Sequence, residues 1–340
     1  MKNIITILLI LGCIKMGNAQ DASYSQFFQT PQFINPALTG SQRCATKVTA
    51  QYRNQAQAIT RYSYNTMSIS AEHRFEPNND GAMFGLGMII GNDIAGKTNY
   101  RVTQALLSAS VHQPMGDHLM ASIGFQGGLV QRNVDLNNMI FDRQFTGTYY
   151  DQNIHSGEDF TGTRIFHPDV STGIVLSNVG SNPFYAGFSI FHINSPNISL
   201  IESVQAELAR KYTAYLAGEV PLGSGNLNRN KAFVYHLVAL FQGPFNEVNI
   251  GGGYRTETRL GENASFYLGG ILKLNDIKSV NIRDAIVGVV NYESEGWGVG
   301  ISIDFSTSEM AQANYGLSTF EFSFYKSFGN CREFVFCPGF

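Results

Sequence analysis

The side chains that could do chemistry are dispersed along the chain. Seven histidines invite a metal site. His112 and His118 flank the turn PMGD at 114–117, and His155 and His167 share a polar stretch with Asp151, Glu158 and Asp159. Zinc ligands come as close pairs on a defined scaffold, and neither pair has that spacing. The stretch DQNIHSGED, 151–159, carries the carboxylates of a calcium loop. Its glycine, however, falls at position seven rather than six, and Gly162 stands where position twelve needs Glu. Gly85, Gly87 and Gly91 resemble phosphate-binding glycines, but that motif needs a strand–turn–helix setting. Here they lie in an alternating run, where they relieve crowding, and GGGYR at 251–255 reads the same way. No G-x-S-x-G elbow offers a nucleophilic serine. The residues therefore predict no catalytic centre, no metal and no cofactor.

Four cysteines remain to be placed. Cys13 lies in an apolar N-terminal run, Ile4–Ile14, preceded by Lys2 and followed by Gly17-Asn18-Ala19. This is the form of a secretory signal cleaved after Ala19. Reading ILGC as a lipidation box is less suitable, because Leu11 is bulky two positions before the cysteine. An exported chain meets an oxidising compartment. Cys331 and Cys337, separated by REFVF, suit a small terminal loop, and Cys44 could pair with either if the chain ends meet.

Composition narrows the scaffold that carries these residues. Of 340 residues, 14% are charged, 44% hydrophobic and 12% aromatic, and 35 are glycine. Ordinary globular chains are about 25% charged. A disordered chain would lack the aromatics. With 23 basic against 26 acidic residues and no basic run, nucleic-acid binding is disfavoured. Beyond the N-terminus no apolar stretch reaches the roughly 20 residues of a spanning helix. A propeller would repeat every 40–50 residues or so, and no such repeat occurs. An aromatic, glycine-rich, charge-poor chain without a spanning helix points to a transmembrane β-barrel.

The two-residue period of strands between lipid and a polar lumen recurs along the chain. In 297–305, Trp297, Val299, Ile301, Ile303 and Phe305 alternate with Gly298, Gly300, Ser302 and Asp304. Phe320, Phe322, Phe324 and Phe328 oppose Thr319, Glu321 and Ser323, while Met67, Ile69, Ala71 and Phe75 oppose Ser68, Ser70, Glu72 and Arg74. Turn signals then divide the chain into about fourteen strands. These are 44–54, 62–75, 82–92, 99–113, 118–133, 169–178, 183–192, 210–221, 231–242, 244–255, 264–274, 282–293, 296–306 and 316–328. The expected organisation is a signal peptide at 1–19, a periplasmic N-terminal segment and possible plug at 20–43, an outer-membrane antiparallel barrel at 44–328, and a periplasmic tail at 329–340. An even strand number returns both ends to the periplasm and puts the long connections 134–168 and 193–209 outside.

Several segments, in order, carry a family resemblance: SQFFQTPQFINPALTG at 25–40, YRNQ at 52–55, FDRQF at 141–145, GGGYR at 251–255, and DAIVGVVNYES leading into GWGVGISIDFS. The chain resembles the PorP/SprF family of type IX secretion outer-membrane proteins over essentially its whole mature length. That resemblance implies a non-enzymatic component associated with type IX export and its gliding-motility relatives. Implied partners are a surface adhesin or other cargo and a periplasmic ring of lipoproteins. The NPALTG opening also fits a rival, a channel or transporter for small or hydrophobic molecules.

The connection 134–168 is longer than the length at which loops are usually functional or disordered. It holds Phe141, Phe145, Tyr149, Tyr150, Phe160 and Phe166. Exposed aromatics are costly unless they fold into the barrel mouth or meet a partner, so these six are the candidate partner-binding residues.

Overall fold

The structure, a computed structural model, describes residues 21–55, 62–76, 81–136, 139–158, 160, 162–180, 182–201, 203–222, 231–258, 264–275, 283–294, 296–307 and 316–331. The expected signal peptide with Cys13, and Cys337 with the closing CPGF, lie outside the described residues.

Fourteen strands follow in chain order: β1 (Cys44–Gln55), β2 (Tyr64–Phe75), β3 (Met83–Ala95), β4 (Tyr100–Pro114), β5 (Leu119–Asn133), β6 (Arg164–Asn178), β7 (Phe184–Phe191), β8 (Lys211–Pro221), β9 (Ala232–Gln242), β10 (Phe245–Thr258), β11 (Ala264–Asn275), β12 (Arg283–Ser294), β13 (Trp297–Ser306) and β14 (Leu317–Cys331). Each pairs antiparallel with its sequence neighbours, and β1 closes on β14 with Tyr52 opposite Phe322. Closure leaves no terminal strand without a partner on either side, as a hydrocarbon environment requires.

Alternation sorts the side chains as the sequence period anticipates. Ile69, Leu107, Phe125 and Leu268 point outward and are about 60% exposed or more (60%, 64%, 59% and 67%). An apolar surface of this extent belongs in lipid rather than water. Ser68, Ser70, Glu72 and Arg74 on β2, and Ser302 and Asp304 on β13, point inward and are buried.

The main departure from the sequence reading is β6. Pro168 suggests a strand start at 169, but β6 begins at Arg164. The cause lies in its neighbour. β7 stops at Phe191 and pairs only with Thr172–Asn178 of β6, leaving Arg164–Ser171 bonded to β5 alone. On that open side Ile193 N–H donates to the Val170 carbonyl at 2.9 Å, and Asn194 Nδ2 donates to that of Pro168 at 2.8 Å. Pro168 thus turns its missing N–H to a side where no strand needs it, which is where proline is tolerated in sheets.

The seam between first and last strands is covalently closed. Cys331, at the end of β14, is disulfide-bonded to Cys44 at the start of β1. Of the pairings the sequence leaves open, the structure has Cys44–Cys331, because barrel closure brings those two positions opposite each other in the ladder.

Candidate functional site

Two ends of the barrel can be distinguished by their connections. Residues 134–163 and 192–210 leave from one, here the long-loop end, while short turns such as 115–118 lie at the other. Residues 21–43 form a strap that runs inside the barrel between them. The segment therefore lies within the lumen. At the long-loop end the Asp21 N–H donates to Gln242 Oε1 at 3.0 Å. At the turn end the Gly40 N–H donates to Glu72 Oε2 at 3.0 Å, just before β1 begins.

The local sequence explains the strap's shape. Three single-turn 3-10 helices, Phe27–Gln29, Pro31–Phe33 and Pro36–Leu38, succeed one another, the last two opened by proline. Proline suits a first helical position, where its missing N–H would be unpaired anyway. Asn35 caps the third turn by accepting from the Ala37 N–H at 2.8 Å. Its Nδ2 donates outward to the carbonyls of Ile174 and Phe188, at 3.0 and 3.1 Å, in the facing β6 and β7.

The wall is built to receive it. A Cβ on Gly85 would strike the Thr39 carbonyl, and one on Gly124 would strike the Pro36–Ala37 backbone. Inward glycines therefore form the bed on which strap backbone rests. Polar side chains then satisfy the strap's backbone groups, which burial would otherwise leave costly. Ser189 Oγ donates to Ile34 O at 2.5 Å, Ser110 Oγ to Thr39 O at 2.6 Å, and His112 Nε2 to the same oxygen at 2.8 Å. Arg74 donates to the carbonyls of Gly40 and Gln42.

Buried charge fixes the other half of the strap. Glu321 accepts from the backbone N–H groups of Ser25 and Gln26, at 2.7 and 2.9 Å, and pairs with Arg53 at 3.2 Å. Lys273 Nζ pairs with Asp304 at 2.8 Å, and both bond the Ser25 hydroxyl. Each buried charge thus has an opposite partner, the condition for holding charge away from water.

A second charged group sits at the long-loop mouth, where the chain leaves β7. His192, at φ 56°, turns the backbone out of the wall. Its Nε2 lies 2.7 Å from Asp21 and its Nδ1 2.8 Å from Asp169, while Lys211 Nζ lies 2.8 Å from Asp21. Both ring nitrogens face carboxylate oxygens, so the ring must carry two protons to donate to both. Burial works against that charge, but Asp21 and Asp169 overcome it and raise the His192 pKa to about 9. Burial likewise works against the Asp21 carboxylate, yet Lys211 and His192 hold it well below the usual range.

The aromatic residues singled out from sequence are divided by the structure. Phe141 and Phe160 meet edge to face, ring centres 5.8 Å apart, and Phe145 and Tyr150 pack at 5.0 Å across an isolated β-bridge. Phe145, Tyr149 and Tyr150 remain exposed at 48%, 63% and 49%. Phe166 does not belong to the loop. It stands on the outward face of β6, because that strand continues through Pro168. A bridge between Phe160 and Ile201 joins the long loop to 192–210. The histidines are dispersed: His112 supports the strap, His118 and His155 are exposed at opposite ends, and His167 bonds Arg132 inside the barrel. Among the described residues no group of three or more His, Cys, Asp and Glu could hold a metal ion.

The strap's wall partners escape sequence reasoning. One signal was available. In a charge-poor chain, Arg53, Arg74, Lys273, Asp304 and Glu321 all lie at inward strand positions, and buried charges require partners.

Comparison with known proteins follows from this architecture. Among solved structures, the chain is similar to the Ralstonia pickettii toluene transporter TbuX (10% identity, 92% of this chain and 96% of that one, TM-score 0.48). It is also similar to a Pseudomonas aeruginosa FadL homologue (11% identity, 88% and 94%, TM-score 0.46) and to the CymD monoaromatic hydrocarbon channel (11%, 93% and 95%, TM-score 0.48). No curated protein matches. The family model for the type IX secretion system membrane protein PorP/SprF matches residues 16–325. With nearly the whole chain matched and a closed, apolar-faced barrel to carry it, the protein belongs to the PorP/SprF family, as an outer-membrane component of type IX secretion.

Proposed function

We propose that this barrel is a non-enzymatic, partner-binding scaffold that holds an exported cargo, such as a surface adhesin, at the long-loop end. Its opposite end would meet the periplasmic lipoproteins of the secretion ring. One observation supports this most directly. Ser25, Gln26, Asn35, Ala37 and Thr39 of the strap are each 0% exposed, as are inward wall groups such as Ser323. A conducting pore keeps its lining wet, whereas here strap and wall seal each other off from water. Beyond the wall, exposed aromatic side chains stand on the long loop, at Phe145, Tyr149 and Tyr150. Aromatic groups in such positions are typical of interfaces.

The test is capture of the tagged protein from outer membranes in mild detergent, with mass spectrometry of what accompanies it. Recovery of a large exported surface protein or of periplasmic lipoproteins is expected. A barrel that comes alone and conducts in planar bilayers would overturn the scaffold in favour of a channel.

A further inference from the structure

β4, β5 and β6 carry one carboxylate between them, Asp169, and it points into the lumen, at His192. Their outward face nevertheless ends in two arginines. Arg101 of β4 stands opposite Asn133 of β5, and Asn133 opposite Arg164 of β6, so the three form one row at the long-loop end. Both arginines are exposed, and among the described residues neither has a hydrogen-bond or ion-pair partner. Strands lie about 4.8 Å apart, so the two cations leave the wall about 10 Å from each other. Lys97, exposed in the turn before β4, and Asp135, just beyond β5, add one charge of each sign and leave the arginines uncompensated.

β6 adds a donor of another kind. Its Arg164–Ser171 stretch is bonded to β5 alone, and Pro168 and Val170 turn their carbonyls to the open side. Backbone groups alternate sides along a strand, so Phe166 turns its N–H to that side as well. Among the described residues nothing accepts it. Phosphate oxygens accept from guanidinium groups and from backbone N–H groups alike.

Below this corner the wall is apolar. The next row down is Thr103, Gln131 and Phe166, about 7 Å further along the strands. Exposed Leu129 and Leu107 continue the same face. Long connections of an outer-membrane barrel lie outside, so the arginines top a lipid-facing surface at the outer leaflet. Positive charge above an apolar belt matches a lipid, whose anionic headgroup is joined to acyl chains in that order. An acidic protein segment would have no use for the belt.

We infer that this face binds a phosphorylated lipid, its phosphate on Arg101 and Arg164 and its acyl chains along Phe166, Leu129 and Leu107. The site stands apart from the scaffold reading and does not depend on it.

The experiment takes the full-length barrel in an uncharged detergent and reads lipid binding by native mass spectrometry. The probe is dioleoyl phosphatidic acid, and the control is dioleoylglycerol, the same chains without the phosphate. The parent should hold the first and not the second. Arg101→Gln and Arg164→Gln should each weaken the phosphatidic acid complex about tenfold, the worth of a hydrogen bond to a charged group. Lys231→Gln removes an exposed cation at the turn end and should leave binding unchanged. Folding is checked by heat-modifiable migration, and if Arg164→Gln fails it, Arg164→Lys tests the loss of the two-pronged contact with the charge kept. Equal binding of the two lipids, or an equal loss in Lys231→Gln, would overturn the site. Displacement of phosphatidic acid by an equimolar amount of inorganic phosphate would overturn the lipid in favour of a free anion. Loss of a co-purifying acidic protein in Arg101→Gln, with phosphatidic acid binding intact, would assign the face to a protein partner instead.

Discussion

Glu321 and Ser25, 296 positions apart in the chain, meet in the lumen at 2.7 Å, carboxylate oxygen to backbone N–H. The second carboxylate oxygen takes the N–H of Gln26 at 2.9 Å. One side chain of the last strand therefore grips two successive backbone donors near the strap's start. Other holds on the strap come from early strands, Glu72 and Arg74 of β2 and Ser110 of β4. The strap touches both ends of the strand order, so its complete set of partners exists only once β14 has closed on β1.

Glu321→Ala should expose that dependence. The variant strands the Arg53 guanidinium without its anion and leaves two buried N–H groups unpaired. Breaking a buried pair in this way costs about 3–5 kcal/mol. The strand ladder is untouched, so a heat-modifiable barrel should still form, with a lower melting temperature and a strap open to protease near Phe27. Planar-bilayer recordings should show conductance events in the variant and a silent parent. Identical proteolysis and silence in both would mean that Glu321 does not hold the strap.

The glycine bed gives a steric test. Gly124→Val would drive its Cβ into the Pro36–Ala37 backbone, which cannot retreat because Asn35 and Thr39 on either side are bonded to the wall. Overpacking of this kind costs about 1–3 kcal/mol or more. Gly288 is the control, since a Cβ there meets nothing within 4 Å. Gly124→Val should lower the melting temperature by several degrees, and Gly288→Val should leave it near the parent's. Equal effects would show that the bed is not what requires glycine at 124.

The disulfide joins residues 287 apart and closes the barrel's seam. A native bridge is typically worth about 2–4 kcal/mol, through its constraint on the unfolded chain in the usual account. Reducing agent should therefore lower the melting temperature of the parent and leave that of a Cys44→Ser, Cys331→Ser double variant unchanged. Peptide mapping without reduction should recover Cys44 linked to Cys331. A Cys331–Cys337 peptide would refute the pairing.

Much of this fold is legible in the sequence, for a physical reason. A strand between lipid and a polar interior must alternate, and Phe320, Phe322 and Phe324 against Thr319, Glu321 and Ser323 do so plainly. Most strand bounds follow to within a residue or two. The start of β6 is not legible, because Pro168 ordinarily ends a strand and nothing local says that its neighbour β7 is only eight residues long. For the same reason the sequence places Phe166 in the loop, whereas it stands on β6. The strap was legible only as a possible plug. Short 3-10 turns have no sustained period, and buried Gln26, Gln32 and Asn35 look like surface residues until the carbonyls and carboxylates around them are known. The mouth network was invisible, since Asp21, Asp169, His192 and Lys211 come together only through closure.

That network makes stability depend on pH in a defined direction. His192 donates to Asp21 and Asp169, Lys211 shares Asp21, and His167 beside Arg132 stands behind them. The His192 pKa is raised from 6.5 to about 9, so its contribution is complete below about 6.5 and disappears as pH climbs through 9. Asp21 is shifted downward, so its share is present above the ordinary carboxylate range and fails only in acid. A shift of that size in His192 corresponds to about 3 kcal/mol. The comparison to make is the melting temperature of the parent against His192→Gln from pH 6 to pH 10. The gap should be widest near pH 6, where the imidazolium is intact and glutamine leaves Asp169 without a cation. It should shrink steeply above pH 9, where the parent's ring has also lost its charge. A gap that stays constant across the range would mean that the ring is not doubly protonated, and that geometry rather than charge ties the strap to the mouth.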